Sequence, residues 1–147
     1  MTRNEKAMLA IIVHAAENFC QHQLRLPSQR SQSPLQKRTL IAYIDVETNE
    51  SEQYRVYIGC DAELLQTITK TFLDEDESDE ETLINMLLET TNMIVGSSKV
   101  LAQETYDTSL TIATPFFLAE NFENESIHEK HCITIENYTM LVALKRL

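Results

Sequence analysis

The sequence has few of the features that mark nucleotide-binding loops and membrane-spanning segments. Glycine occurs only twice, at Gly59 and Gly96, so the chain has no glycine-rich loop of the kind that surrounds phosphates. The apolar helical stretch at residues 7–16 is shorter than the roughly 20 apolar residues that cross a bilayer. The sequence therefore predicts neither a nucleotide-binding loop nor a transmembrane helix.

Cysteine is scarce as well. Cys20, Cys60 and Cys132 are odd in number and far apart, and no secretory signal segment accompanies them. Disulfide frameworks belong mainly to small secreted proteins with paired cysteines. We therefore predict reduced thiols and a cytoplasmic location.

The sequence also lacks a recognisable metal site. His128, His131 and Cys132 resemble a zinc cluster in composition, but no further residue completes four ligands at a recognised spacing. A metalloenzyme built on these three residues would carry stoichiometric metal after purification. We favour the simpler prediction that this chain holds no metal.

Basic residues are too few for a nucleic-acid-binding surface. The chain has 12 Lys and Arg against 23 Asp and Glu, a net charge of -11. Residues 74–81 hold seven of those acids, which leaves 16 acids against 12 bases elsewhere. Phosphate contacts need a basic stripe, so we predict no nucleic-acid partner. The acidic run is typical of a solvated connector before the positive end of a helix.

The first half of the chain reads as a helix, a loop and a hairpin. Residues 4–24 place apolar side chains at helical spacing. Residues 25–38 contain two prolines and show no periodicity, which predicts a flexible loop. Residues 40–46 and 53–60 are rich in strand-forming residues and flank a polar turn, the signature of an antiparallel hairpin.

Two further helices follow the hairpin. Asp61 is suited to cap the first of them, which reaches the acidic connector. The second is predicted to start at Ser78, because Glu81 lies three residues later in the capping-box arrangement. Its helical pattern runs to about Gln103.

The last part of the chain reads as strands. Residues 109–115, 131–136 and 139–145 have strand composition, and a tight turn at Asn137 and Tyr138 joins the last two. Residues 119–130 are expected to form an exposed connector between the first of these strands and the last two. Taken together, the 147 residues predict a single α+β domain in which long helices pack on an antiparallel sheet.

The predicted third helix has two chemically different sides. At about 100° per residue, its core side carries Leu83, Ile84, Leu87, Ile94, Val95 and Leu101. Its opposite side carries Thr82, Asn85, Glu89, Asn92 and Gly96.

An ordinary solvent-exposed helix face would explain much of this polar side, yet two features favour a binding surface. Gly96 costs the helix about 1 kcal/mol, and it would allow another backbone to approach closely. Met86 and Met93 are expected to border the polar side, as flexible methionines often do where partners bind.

Glu89 and Asn92 do not form a nucleophile and base pair, because no His or Ser is placed beside them by the sequence. Their side chains suit a different chemistry. A carboxamide both donates and accepts hydrogen bonds, so it can hold a water in line with a phosphorus atom. A carboxylate can pair with a lysine of another protein.

The order Glu89, two residues, Asn92, then 22 residues to Pro115 resembles the active-site pattern of the CheC, CheX and FliY chemotaxis phosphatases. The segments LLETTNMIVGSSKVLAQ and TIATPFF also resemble CheX. The likeness is specific from about residue 60 to residue 118. CheX is the closer relative within the family, because CheC-type members usually carry the motif twice and this chain carries it once.

The resemblance implies a CheC/CheX-like fold and a phosphatase that acts on the phospho-aspartate of a CheY-type response regulator. Asn92 would orient the attacking water, Glu89 would engage the receiver lysine, and Pro115 would have a structural role. The partner-binding residues would be Asn85, Met86, Met93 and Gly96. The resemblance also implies that magnesium belongs to the receiver, that this chain binds no cofactor, and that it forms a homodimer through sheet edges.

One residue departs from the family pattern. Asn85 stands four residues before Glu89, where Asp or Ser is usual. An amide can still form hydrogen bonds but supplies no charge. This departure, with the divergent first 60 residues, leaves open a non-catalytic adaptor that binds a receiver domain or a flagellar switch component without hydrolysis.

Overall fold

The structure is a computed structural model that describes residues 2–31, 38–119 and 129–147. Within those ranges the chain forms three α-helices: α1 (Arg3–Asn18), α2 (Ala62–Leu73) and α3 (Glu80–Tyr106). A π-helical segment, Phe19–Leu24, continues α1. The strands are β1 (Gln29–Ser31), β2 (Thr39–Thr48), β3 (Gln53–Asp61), β4 (Leu110–Ile112), β5 (Phe116–Ala119), β6 (Glu129–Ile135) and β7 (Tyr138–Arg146).

The described strands form one antiparallel sheet in the order β1-β6-β7-β3-β2-β4, and β5 also pairs with β2. The C-terminal part of β2 pairs with β4, whereas its N-terminal part pairs with β5. Strands β4 and β5 therefore share one edge of the sheet, and β1 lies at the other. The predicted α+β class, with helices packed on an antiparallel sheet, is confirmed.

Alternation along β2 and β3 separates the two faces of the sheet. The main core contains Leu40, Ala42, Ile44 and Val46 from β2, and Tyr54, Val56, Ile58 and Cys60 from β3. Helix α3 contacts β2 and also packs against α1 and α2. A smaller buried cluster on the opposite face comprises Ile41, Tyr57, Cys132, Leu141 and Ala143. Both faces of the central strands are thus buried.

The predicted hairpin and the cap of α2 are confirmed, but the predicted start of α3 is wrong. The N-cap of α3 is Asp79, whose carboxylate accepts a hydrogen bond from the Thr82 backbone N–H at 2.8 Å. Ser78 does not serve as the cap, because its hydroxyl donates to the Glu75 carboxylate at 3.0 Å. Its backbone N–H and C=O both bond the Gln66 side chain of α2 at 3.0 Å, so the N–H is not free for Glu81 either. The predicted capping box with Glu81 is therefore replaced by a contact between the helices.

Three other boundaries differ from the sequence prediction. Part of the predicted loop 25–38 is strand β1, which pairs with β6, while residues 32–37 lie outside the described residues. The strand predicted at 109–115 is shorter in the structure, where β4 covers only Leu110–Ile112, and β5 (Phe116–Ala119) was not predicted. The turn between β6 and β7 lies at Glu136 and Asn137, where Glu136 takes a positive φ of 55°.

All three cysteines are free, as their number and spacing predicted, and the structure shows in addition that all three are buried. Burial raises the pKa of the Cys20 thiol to about 12 and also raises the pKa of Cys60. Both side chains therefore stay protonated and unreactive at neutral pH. None of the described helices is long and apolar enough to cross a membrane.

Asp61 links three elements at the end of β3. One carboxylate oxygen accepts from the Leu64 backbone N–H of α2 at 2.7 Å. The other oxygen accepts from the Thr139 backbone N–H of β7 at 2.6 Å. Asp61 is fully buried, and hydrogen bonds from amides to a buried carboxylate are among the stronger ones in proteins. This side chain therefore fixes the start of α2 against the sheet.

We expect Asp61→Ala to lower the free energy of unfolding by about 3 kcal/mol, because it removes a cap and leaves a buried Thr139 amide without a partner. Asp79→Ala is the matched control, since Asp79 caps a helix at an exposed position, and its loss should be smaller. Urea denaturation followed by circular dichroism measures both changes. Equal losses in the two variants would contradict the role of Asp61 as a tertiary link.

Candidate functional site on the outer side of helix α3

Helix α3 is a 27-residue helix fixed along one side. Its buried residues are Leu83, Met86, Leu87, Thr90, Thr91, Ile94, Val95, Ser98 and Ala102. They recur at the spacing of one helix side, so the helix cannot rotate without exposing apolar surface. The opposite side is consequently held toward solvent.

Asn85, Glu89 and Asn92 are exposed on that opposite side, and Gly96 is partly exposed. We call this row of four residues the outer stripe. Glu89 and Asn92 form no hydrogen bond or ion pair with any residue that the structure describes. Their functional groups are therefore available to another molecule, as the sequence predicted.

The helix geometry brings Glu89 and Asn92 together. Residues three apart lie about 4.5 Å apart along the axis and about 60° apart around it, so their side chains extend to neighbouring points on the same side. Asn85 and Gly96 lie between these two directions. Both ends of α3 are held in place, because Asp79 caps its start and Gln103 donates to the Asp107 carboxylate at 2.8 Å.

The expected methionine border is half wrong. Met86 is only 7% exposed and belongs to the main core, so its placement on an exposed border is incorrect. The physical reason is its angular position, which lies farther from the outer stripe and near the buried Thr90. The half-buried residues that flank the stripe are Leu88 on one side and Met93 on the other.

The two glycines have different reasons for lacking a side chain. A Cβ atom on Gly59 would lie 3.2 Å from Thr39 Cγ2 and 3.4 Å from Leu141 Cβ, so packing within the sheet favours glycine there. A Cβ atom on Gly96 would have no neighbour within 4 Å. Intramolecular packing therefore does not require a glycine at position 96. The glycine is nevertheless present, even though a glycine in a helix interior is destabilising.

Pro115 separates β4 from β5 on the sheet edge beside α3. The Ala113 backbone N–H still donates to the Asp45 carbonyl at 2.9 Å, but proline has no N–H with which to continue the ladder. Pairing with β2 resumes at Phe116, opposite Tyr43. Because α3 contacts both β4 and β5, Pro115 lies at a break in the strand next to the helix that carries the outer stripe.

The sequence reasoning overlooked the two threonines between Glu89 and Asn92. Both are fully buried. The Thr91 hydroxyl donates to the Leu87 carbonyl at 2.8 Å, whereas the Thr90 hydroxyl has no hydrogen-bond partner among the described residues. Threonine periodicity alone gave no signal, because these residues are equally common on exposed helix faces.

Metal ligands do not converge in the described part of the chain. No group of three His, Cys, Asp or Glu side chains there could hold an ion. The cluster considered from the sequence with His131 and Cys132 includes His128, which lies outside the described residues. The chemistry open to the outer stripe is therefore hydrogen bonding by a carboxamide and charge pairing by a carboxylate, without a metal ligand in the stripe itself.

The fold has close counterparts among solved structures. CheX from Vibrio vulnificus superposes with a TM-score of 0.71 at 18% identity, covering 94% of this chain and 96% of that one. The CheX-CheY-BeF₃-Mg²⁺ complex from Borrelia burgdorferi gives 0.67 at 13% identity, covering 94% and 96%. FliY from Thermotoga maritima gives 0.61 at 15% identity, covering 99% and 91%. No curated protein sequence matches the chain.

These structural likenesses define the class of the fold. It consists of helices packed on an antiparallel sheet, as in CheX and FliY proteins. The sequence of residues 42–136 matches the family described as "Chemotaxis phosphatase CheX". That segment includes most of the hairpin, α2, and the whole of α3 with the outer stripe. The chain belongs to the CheX family of chemotaxis phosphatases.

We expect Thr90→Val to stabilise the protein by about 1 kcal/mol, because it removes a buried hydroxyl that has no partner. Thr91→Val is the matched change one residue later and removes a formed hydrogen bond, so we expect it to be neutral or to cost up to about 1 kcal/mol. Thermal unfolding of both variants measures the difference. A Thr90→Val variant less stable than Thr91→Val would show that the Thr90 hydroxyl is satisfied in solution.

Proposed function

We propose that this protein dephosphorylates the phospho-aspartate of a CheY-type response regulator by inserting Glu89 and Asn92 into the receiver's active site. The observation that carries the proposal is the outer stripe itself. In a chain of the CheX family, a carboxylate and a carboxamide extend together from a fixed helix, exposed and without partners among the described residues.

Asn92 positions the attacking water. Its carboxamide oxygen accepts one hydrogen bond from that water, which leaves an oxygen lone pair directed at the phosphorus atom. Water attacks, the bond between phosphorus and the aspartate oxygen breaks, and the products are inorganic phosphate and the free aspartate of the receiver. In phosphoryl transfer, catalysis consists largely of positioning and electrostatic stabilisation.

Glu89 engages the conserved lysine of the receiver. A carboxylate paired with an ammonium group forms a charge-assisted hydrogen bond, which is stronger and more directional than a neutral one. Because Glu89 and Asn92 are one turn apart on a helix that cannot rotate, the pairing by Glu89 fixes where Asn92 lies. Docking and water positioning are thus coupled through the rigid backbone of α3.

The partner would supply the remaining groups. We propose that magnesium is held by the receiver and neutralises charge on the transferring phosphoryl group, and that this chain binds no cofactor. Asn85, Met93 and Gly96 would contact the receiver around the pair, and the absent side chain at Gly96 would allow its backbone to approach. Pro115 would shape the adjacent sheet edge. The proposed compartment is the cytoplasm.

One observation favours a second candidate function. Asn85 is exposed next to Glu89 but carries no charge, where the resembled pattern usually has Asp or Ser. An adaptor would use the same stripe to bind a receiver or a flagellar switch component without hydrolysis. Phosphate decay and binding distinguish the two functions, because an adaptor binds the receiver without accelerating loss of its phosphate.

The homodimer implied by the resemblance would use the edge formed by β4 and β5. Phe116 and Phe117 of β5 are 53% and 38% exposed, whereas β1 at the other edge presents Gln29, Arg30 and Ser31. Exposed aromatic residues on an edge strand favour pairing with another chain. We therefore propose that two copies join along β5.

We expect Asn92→Ala to reduce the rate of receiver dephosphorylation at least about a hundredfold, the scale lost with a positioning group, while binding changes little. Glu89→Gln keeps the shape but removes the charge, so it should weaken both binding and turnover. Thr105→Ala, an exposed change near the end of α3, is the control. Decay of the phosphorylated receiver, with affinity for the beryllofluoride-activated receiver, measures both effects.

Two results would count against the catalytic role. An Asn92→Ala variant that clears phosphate as fast as the parent would refute water positioning by this residue. A parent protein that binds the receiver tightly without faster loss of phosphate would establish the adaptor instead.

For the dimer, we expect light scattering to give twice the chain mass of 16.9 kDa, and Phe116→Asp to return the mass to that of one chain. Leu73→Asp, at a similarly exposed apolar residue on α2, should leave the dimer intact. A monomeric parent protein at micromolar concentration would refute the proposed edge pairing.

A further inference from the structure

The exposed row on α3 continues beyond Gly96. Lys99 follows Asn92 by seven residues and Val100 follows Glu89 by eleven, the two spacings that return to the same side of a helix. Both residues are exposed, and Val100 is 57% exposed. Lys99 therefore continues the Asn92 side of the stripe, and Val100 continues the Glu89 side.

Lys99 has no hydrogen bond or ion pair with any residue that the structure describes. Some other cations of this acidic chain are paired, as Arg55 is with Asp45 at 2.8 Å and Arg30 is with Glu17 at 2.8 Å. The ammonium group of Lys99 thus adds a positive charge to a stripe whose other charge is the carboxylate of Glu89. Lys99 lies ten residues beyond Glu89, and the exposed carboxylate of Glu104 lies farther along the helix beside the groove described next.

Val100 opens onto a shallow groove of about 470 Å³ between the end of α3 and the start of β4. The groove is lined by Lys99, Val100, Gln103, Glu104, Ser109 and Leu110. Its shape is fixed within the chain, because the Ser109 hydroxyl donates to Gln103 Oε1 at 3.2 Å while Gln103 Nε2 donates to the Asp107 carboxylate at 2.8 Å. A partner would meet a preformed surface here.

We infer that Lys99 and Val100 form a second docking point for the receiver whose active site takes Glu89 and Asn92. This inference rests on the proposed function. Val100 and the groove receive an apolar side chain of the receiver, and Lys99 pairs with an acidic group beside it. The two residues determine which receiver is accepted and in what orientation, and they do not touch the reacting atoms.

The size of an ordinary interface supports the same occupant. Val100 lies about 14 Å along the axis from the midpoint of Glu89 and Asn92. A typical interface covers about 800 Å² on each partner, which as a disc reaches about 16 Å from its centre. A receiver centred on the catalytic pair therefore extends over the groove.

Charge supports one orientation of that occupant. Glu89 pairs with the receiver lysine in the proposed function, and Lys99 lies about 15 Å farther along the helix. A receiver docked in the reverse direction would place its lysine near Lys99 and its acidic group near Glu89. Both contacts would be repulsive, so the opposite charges of Glu89 and Lys99 select the productive direction.

The test uses Val100→Asp and Lys99→Glu in the full chain, with Leu147→Asp and Lys6→Glu as matched exposed controls. We expect Val100→Asp to raise KM for the phosphorylated receiver about tenfold with kcat unchanged. Lys99→Glu should raise KM about threefold to tenfold and reduce its dependence on salt. The controls should leave KM within about twofold of the parent.

Affinity for the beryllofluoride-activated receiver gives a second readout that does not require turnover. Both variants should weaken this binding by the same factors.

The inference is overturned if KM and affinity stay at parental values in both variants while Asn92→Ala still abolishes turnover, and in that case the proposed function stands. If the parent neither binds nor dephosphorylates any receiver of the same cell, both proposals fail. If Val100→Asp instead changes the oligomeric mass, the groove belongs to a second copy of this chain and the inference is overturned.

Discussion

Burial of one side of α3 is the constraint on which the rest of this structure depends. The helix crosses β2 and is held laterally by α1 and α2, and its apolar residues enter the same core as the inward side chains of the hairpin. Fixing that side also fixes the opposite one. Glu89 and Asn92 are exposed together because rotating α3 would expose Leu87 and Ile94 to water, at roughly 1.5–3 kcal/mol for each such side chain.

The same constraint separates the residues of one helix that stabilise the fold from those that remain exposed. Most residues on its inner side are either apolar or, like Thr91, hydrogen-bonded to the backbone of the same helix, and Thr90 is the exception whose buried hydroxyl has no partner among the described residues. The outer stripe contributes little to folding, and Gly96 even weakens the helix. Residues that do not stabilise a fold are free to be selected for another purpose. The two glycines illustrate this within one chain, because packing favours glycine at Gly59 and does not require it at Gly96. Membership of the CheX family is consistent with a surface of this kind on α3.

Several features could be predicted from local sequence, and others could not. The hairpin, the cap at Asp61 and the exposed pair on α3 follow from local composition and from helical or strand periodicity, and each is confirmed by the structure. The predicted cap at Ser78 is wrong because its hydroxyl bonds Glu75 and because Gln66, twelve residues earlier, occupies its backbone groups. Strand β1 was missed because its hydrogen bonds come from β6, about a hundred residues away. Met86 was misplaced because its angular position lies between the outer stripe and the buried Thr90, and only packing with neighbouring elements shows that this position is buried.

The amino-acid sequence alone specifies the identity and spacing of three features: a carboxylate and a carboxamide one turn apart, a proline separated from the carboxamide by 22 residues, and periodicities that favour helices on a sheet. Those properties are local, since a helix places residues three and four apart side by side wherever it lies. Only the tertiary structure decided which side of α3 remains in contact with water, that Met86 is buried, and that Lys99 and Val100 adjoin a groove with β4. Such features arise from packing between segments distant in the chain, and their energies depend on neighbours that no local pattern specifies.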